Sequence, residues 1–368
     1  MAFQREVHRF LTSLILLSVP VFVHPTSSFA LDLLPTGGQA DEGLLAIGPA
    51  TNGTLTIDQY SNRAIINWQE FSIGNGNSVI FRQPDAQSAI LNRVSGSAPS
   101  SIAGHISANG EVYLVNPNGI FITSTGIVET KGFVASTLDI TNKDFMSGVA
   151  RFTGRGASAE TSNAGTILGT KGGFAALIGG LVSNSGTIAV PSGRIALGSG
   201  EQATLDPEGD GFLQIAIGSA EDINSANGTV AVENSGTISA KGGLVEIKAA
   251  TAQQAARNIV NLSGAISARG VSGQNGAIDL DAGAQGNINI SGKLNASGVR
   301  NGAGGKIRVD AGKVMLNNAY LTATSAKRTG GAIEITGKDI SIVHSKIDVS
   351  GDSRGGNIKV GCDAGGKG

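Results

Sequence analysis

The sequence predicts an all-β fold: a right-handed parallel β-helix with three strands per coil and a β cap over its N-terminal end. Three observations carry that prediction. Of 368 residues 55 are glycine while aromatics make up only 4%, a composition suited to turns and strands. A seven-residue phrase recurs through the C-terminal half, with its apolar residue at Ile238, Ile266, Leu294, Leu321 and Ile347, so successive copies lie 28, 28, 27 and 26 residues apart. Each copy is followed by a glycine and a segment of strict period-two alternation, the pattern of a strand with one dry face.

Taken in order, the chain opens with Arg5, His8 and Arg9 ahead of an apolar run of 14 residues, Phe10 to Val23, and Ser28-Phe29-Ala30 closes the segment. That order is the order of a secretory signal peptide. A membrane-spanning helix needs ~20 apolar residues, and this shorter run is interrupted by Pro20. Residues 1–30 are therefore expected to direct export and to be cleaved near Ala30. The remaining chain carries one cysteine, Cys362, so no internal disulfide can form and stability rests on packing and backbone pairing.

From Leu31 to about Phe152 the pattern is heterogeneous and holds the single tryptophan, in Trp68-Gln69-Glu70-Phe71-Ser72-Ile73. A solenoid needs a cap that covers its open end against edge-to-edge association, and this stretch is expected to supply it. The repeat vocabulary then begins in tighter form, with Asn163-Ala164-Gly165-Thr166-Ile167 and Asn184-Ser185-Gly186-Thr187-Ile188, 21 residues apart. We read residues 31–230 as cap and first coils.

Residues 231–368 read as regular coils of about 26–28 residues. The alternating segments place Val245, Ile278, Ile307, Ile333 and Ile358 in one inward column, and Ile247, Leu280, Val309, Ile335 and Val360 in the next. The outward position between them reads Glu246, Asp279, Arg308, Glu334, Lys359. A third strand per coil shows in Asn287–Ile290, Lys313–Leu316 and Asp339–Ile342. Such strands cannot bury their apolar faces alone and must stack on their neighbours. The last residues, Gly361 to Gly368, fall part way through a coil, so the chain is expected to be part of a longer protein.

Two segments carry a family resemblance: Ala89-Ile90-Leu91-Asn92-Arg93-Val94-Ser95-Gly96, and Ile106 to Ile120 with its Asn116-Pro117-Asn118-Gly119-Ile120 element. They resemble the secretion domain of two-partner secretion exoproteins, the haemagglutination-activity domain of filamentous haemagglutinins. The resemblance covers roughly Leu31 to Ala231. It implies recognition in the periplasm by the polypeptide-binding domains of a dedicated β-barrel transporter, export unfolded, and a secreted or cell-surface destination. Asn92, Arg93, Asn116, Pro117, Asn118, Gly119 and Ile120 become the candidate site. Physically, Pro117 fixes φ while Asn118 and Gly119 tolerate positive φ, so the element reads as a sharp corner. Building that corner and touching a secretion partner are both open roles for it. The family's Asn-Pro-Asn-Leu motif is missing.

Adhesion to host receptors or glycans through regions beyond this chain is the leading function by resemblance. The stem of a toxin or contact-dependent inhibition protein is the alternative, and a β-helical polysaccharide-acting enzyme the remote one. Net charge is −1 with no block of Lys and Arg, which argues against nucleic acid. Asp279 and Asp281 sit two apart on one strand, yet alternation alone explains them, and no convergent acid, base or nucleophile accompanies them. His105 and His344 are far apart in sequence with no cysteine pair, so no metal site or other cofactor is expected. Asp206-Pro207-Glu208-Gly209-Asp210-Gly211 opens like a calcium loop, but Ile217 stands where the closing Glu belongs.

Overall fold

The computed structural model describes residues 33–156, 158–207, 209, 212–216, 231–250, 258–271 and 274–361. Residues 1–30, expected to direct export, together with Glu208, Asp210, Gly211 and Ile217 of the acidic loop and Cys362, lie outside them.

From Thr54 onward the strands stack in parallel, three per coil. One ladder runs from Thr54–Gln59 through Ser78–Arg82 and His105–Ala108 to Thr237–Ser239 and Lys346–Asp348. A second runs from Arg63–Trp68 through Ala89–Val94 and Glu111–Val115 to Leu244–Ala249 and Asn357–Gly361. The strands Ile127–Ser136 and Thr166–Gly179 pass through the corner between these ladders and join both into one 22-stranded sheet. The third ladder, nine strands from Ser100–Ile102 to Asp339–Val343, closes the coil.

The register matches the predicted columns. Val245 pairs with Ile278, then Ile307, Ile333 and Ile358; Ile247 pairs with Leu280, then Val309, Ile335 and Val360. Ile238, Ile266, Leu294, Leu321 and Ile347 stack likewise. Apart from Ile358 and Val360, which are exposed in the strand Asn357–Gly361, these residues belong to or pack against one apolar core that runs along the solenoid. The columns are continuous across position 230, since Ile188 pairs directly with Ile238.

Two features differ from the sequence expectation. The cap is smaller than the stretch to Phe152: it consists of Gln39–Glu42 and Leu45–Ile47, antiparallel to the first coil's Arg63–Trp68 and Thr54–Gln59. Their reversed direction stops the parallel ladder at the coil's open edge. Second, a four-stranded antiparallel sheet, Asp139–Ile140, Ala150–Thr153, Gln202–Leu205 and Leu213–Ala216, lies outside the coils. With the short helix Asn142–Met146 it covers the outer face of the second ladder. There Ile65, Leu91, Tyr113, Val134, Ala176 and Ala196 point outward yet are buried. Both faces of those strands are dry, so their sequences read as unbroken apolar runs rather than alternations. Tyr113 makes edge contacts with Phe145 and Phe174, ring centroids 5.3 and 6.4 Å away, and Phe174 meets Phe212 at 5.9 Å, geometries that aromatic quadrupoles favour.

Candidate functional site

Asn92 and Arg93 leave their strand on opposite faces, and the pleat gives them different work. Asn92 occupies an inward position between Ile66 and Leu114, in the middle of the aliphatic core. An unpaired amide there would be costly. Its Oδ1 accepts from the Trp68 indole N–H at 2.9 Å, and its Nδ2 donates to the Tyr113 carbonyl at 3.4 Å. The single tryptophan thereby joins the first coil to the second.

Arg93 faces outward and is spent on the external elements. Its Nε donates to Asp139 Oδ1 at 2.9 Å, one terminal nitrogen to Asn142 Oδ1 at 2.8 Å, and the other to the Ile140 carbonyl. Asn142 in turn donates to Asp41 at 2.9 Å and Glu42 at 3.0 Å of the cap, and Asp41 also accepts from Asn67 at 2.9 Å. The amide bonds, first from Asn142 and then from Asn67, hold the Asp41 carboxyl below its usual range. Cap, second coil and external helix are thus fastened by one polar clasp.

Asn116 to Gly119 form the corner that the residues predict. The Asn116 side chain is fully buried; its Nδ2 donates to the Ala98 carbonyl and to Ser100 Oγ, both at 3.0 Å, and its Oδ1 accepts from Asn118 N at 3.0 Å. Gly119 closes the turn with its N–H on the Asn116 carbonyl at 3.1 Å and a φ of 121°, a region that only glycine visits freely. Ile120 is buried in the core. Asn118 is exposed and donates to the Gly96 carbonyl at 2.9 Å.

The two motifs, more than twenty residues apart, meet in space. Arg93, Val94 to Ser97, Pro117, Asn118, Asp139 and Arg155 line one surface groove of about 390 Å³. Arg155, largely exposed, sits 4.0 Å from Asp139. Among the seven candidates Pro117 and Asn118 offer accessible surface in this groove, Arg93 contributes a half-hidden edge, and Asn92, Asn116, Gly119 and Ile120 are interior. Asp139 and Arg155 were not singled out in the sequence; no motif marks them, because their role depends on the external sheet. Elsewhere, Asp279 pairs with Arg308 at 3.1 Å and lies 4.0 Å from Lys248, and no grouping of His, Cys, Asp and Glu suited to a metal occurs among the described residues.

The structure is similar to a solved secretion domain, that of HMW1 from Haemophilus influenzae. The two superimpose with a TM-score of 0.76 at 28% identity, over 89% of this chain and 94% of the other. Two heme/hemopexin-binding proteins of Haemophilus influenzae are similar in sequence: 40% identical over 128 residues, 35% of this chain and 14% of the relative, and 39% identical over 113 residues, 31% and 12%. The family model of the TPS secretion domain matches residues 33–296, and the chain belongs to that family, the export domain of two-partner secretion exoproteins. Such a domain serves secretion together with an outer-membrane transporter. The matched stretch spans about a seventh of its curated relatives.

Proposed function

We propose that residues 31–230 direct export of a longer exoprotein through its dedicated transporter, after removal of residues 1–30 near Ala30, and that 231–368 begin a regular stem. The family match over residues 33–296 carries this reading. The Asn116–Ile120 corner and the Asn92-Arg93 pair are proposed as the segments the transporter's polypeptide-binding domains read, through strand addition to an extended chain. Burial of Asn92, Asn116 and Ile120 in the folded domain favours contact before folding over docking of the finished solenoid. Adhesion to host receptors or glycans is proposed for the whole exoprotein, with a toxin stem as the second reading.

The test is secretion of the tagged chain from a Gram-negative host with and without the transporter from its own gene neighbourhood. Release into the medium that depends on the transporter supports the proposal. Periplasmic retention in both cases removes it.

A further inference from the structure

The regular coils carry a row of cations that the near-neutral composition hides. In each coil a loop turns from the short strand into the long alternating strand. In succession these loops present Lys241, Arg269, Arg300, Lys327 with Arg328, and Arg354, all exposed. Backbone bonds stack the loops: Gly242 N donates to Arg269 O at 2.6 Å, Gly270 N to Ser297 O at 3.0 Å, Gly298 N to Thr324 O at 2.8 Å, and Ser325 N to Ser350 O at 2.9 Å. The loops therefore rise along one corner, over about 19 Å for four steps of ~4.8 Å. Lys241 and Arg269 share a column with Ser297, Thr324 and Ser350, and Arg300, Lys327, Arg328 and Arg354 stand three or four residues further along their loops, so the cations form a band along that corner. The same loops hold a single acidic residue, Asp352. Among the described residues none of the six cations takes part in an ion pair, whereas Lys248, Lys306, Arg308, Lys313 and Lys346 on the neighbouring strands all do.

Beside this row runs a groove of about 670 Å³ along the solenoid axis, floored by glycines. A Cβ on Gly305, Gly331 or Gly356 would lie 2.0 Å from the carbonyl oxygen of the glycine one coil below. The floor is thus barred from side chains by the stacking itself, and its rim is polar, with Asn275, Thr329 and Asn357. Arg354 stands at this groove, and Arg300 and Arg328 line an adjoining hollow that shares Asn275. Arg300 is held at a φ of 58°, a conformation costly for a residue with a Cβ.

We propose that this corner binds a linear acidic polysaccharide, its chain lying in the glycine-floored groove and its sulfate or carboxylate groups on the cationic row. Guanidinium groups suit both anions through paired hydrogen bonds. No aromatic side chain lines the groove, which disfavours single-stranded nucleic acid, whose bases need stacking platforms.

The experiment measures binding of the secreted full chain to dextran sulfate, to neutral dextran, and to oligothymidylate of matched charge. Expected are binding of dextran sulfate alone, weakened as salt screens the row, and a loss of about tenfold or more in the double variant Arg300→Glu/Arg328→Glu. The control Arg82→Glu, a charge change of the same sign remote from the corner, leaves binding unchanged. Circular dichroism and secretion verify that both variants fold. The proposal is overturned if dextran sulfate does not bind, if the double variant binds as well as the parent, or if oligothymidylate binds equally tightly.

Discussion

Asn116 spans its corner with bonds to Ala98, Ser100 and Asn118, all from within the protein. Replacing it by alanine leaves the buried Ser100 hydroxyl without its amide partner, while the Ala98 carbonyl and the Asn118 N–H, on exposed residues, can turn to water; the change is expected to cost about 1–3 kcal/mol in chemical denaturation. Asn118→Ala, which loses the bonds of its Nδ2 to the Gly96 carbonyl and to Asn116 Oδ1, is expected to cost under about 1 kcal/mol. If Asn118→Ala keeps its stability yet blocks release, the side chain touches the transporter; unaffected release leaves it a turn residue. Tyr113 makes a second prediction at this scale. Burial first, and the nearby Glu111 carboxylate second, push its phenol far above its usual value near 10. A group whose pKa is raised on folding contributes stability below its unfolded pKa and loses it as pH climbs. The unfolding midpoint should therefore fall above about pH 10, and Tyr113→Phe should flatten that fall. The corner was legible in the sequence, since proline and glycine impose backbone geometry locally. The burial of Asn92 was not, because its partner Trp68 lies 24 positions away.

Among the elements, the third ladder contains an amide row that its strands share. Asn163 Nδ2 donates to Asn184 Oδ1 at 2.8 Å, and Asn184 Nδ2 to Asn234 Oδ1 at 2.7 Å, all three buried. The same column continues as Leu262, Ile290 and Leu316, so the site accepts an aliphatic side chain. Asn184→Leu removes the short bond from Asn163 Nδ2, which keeps its longer bonds to the Gly165 and Thr187 carbonyls, and leaves the buried Asn234 Oδ1 without its donor; it is expected to cost about 1–3 kcal/mol. The double variant Asn184→Leu/Asn234→Leu removes the stranded Asn234 oxygen as well and should cost no more than the single change, a non-additivity measured by denaturation of both. The strands of the later coils could be read from alternation because one of their faces is wet. The earlier ones could not: Glu246 shows why. It stands in a column that reads as solvated, yet its carboxylate accepts from Leu213 N at 2.7 Å beneath the external sheet. A sheet recruited from residues 139–153 and 202–216 leaves no periodic trace in the strands it covers.

At the level of the whole molecule, each coil touches its neighbours and little else, so stability is close to a sum over coils. Removing residues 266–293 sets Leu294 where Ile266 stood and preserves every column. The shortened chain is expected to keep its β spectrum and its secretion, whereas removing 14 of those residues, half a coil, should abolish cooperative unfolding by turning inward side chains onto the wrong faces. The solenoid was legible because stacking forces one vocabulary on every coil. The cap and clasp were not, since each is built once. The clasp also responds to acid: the Asp41 carboxyl, held low by Asn142 and Asn67, contributes stability above its unfolded value and loses it as pH falls. Amide exchange in Gln39–Glu42 should accelerate below about pH 4, and Asp41→Asn should remove that dependence.

Asp41 and Asn142 lie 101 positions apart, roughly 330 Å of extended chain. A polypeptide delivered N-terminus first can begin to wind its opening coils early, but it cannot fasten them until the 142nd residue arrives. The bond between these two side chains is a gauge of length, closing only when enough of the polypeptide has come through to keep what it fastens.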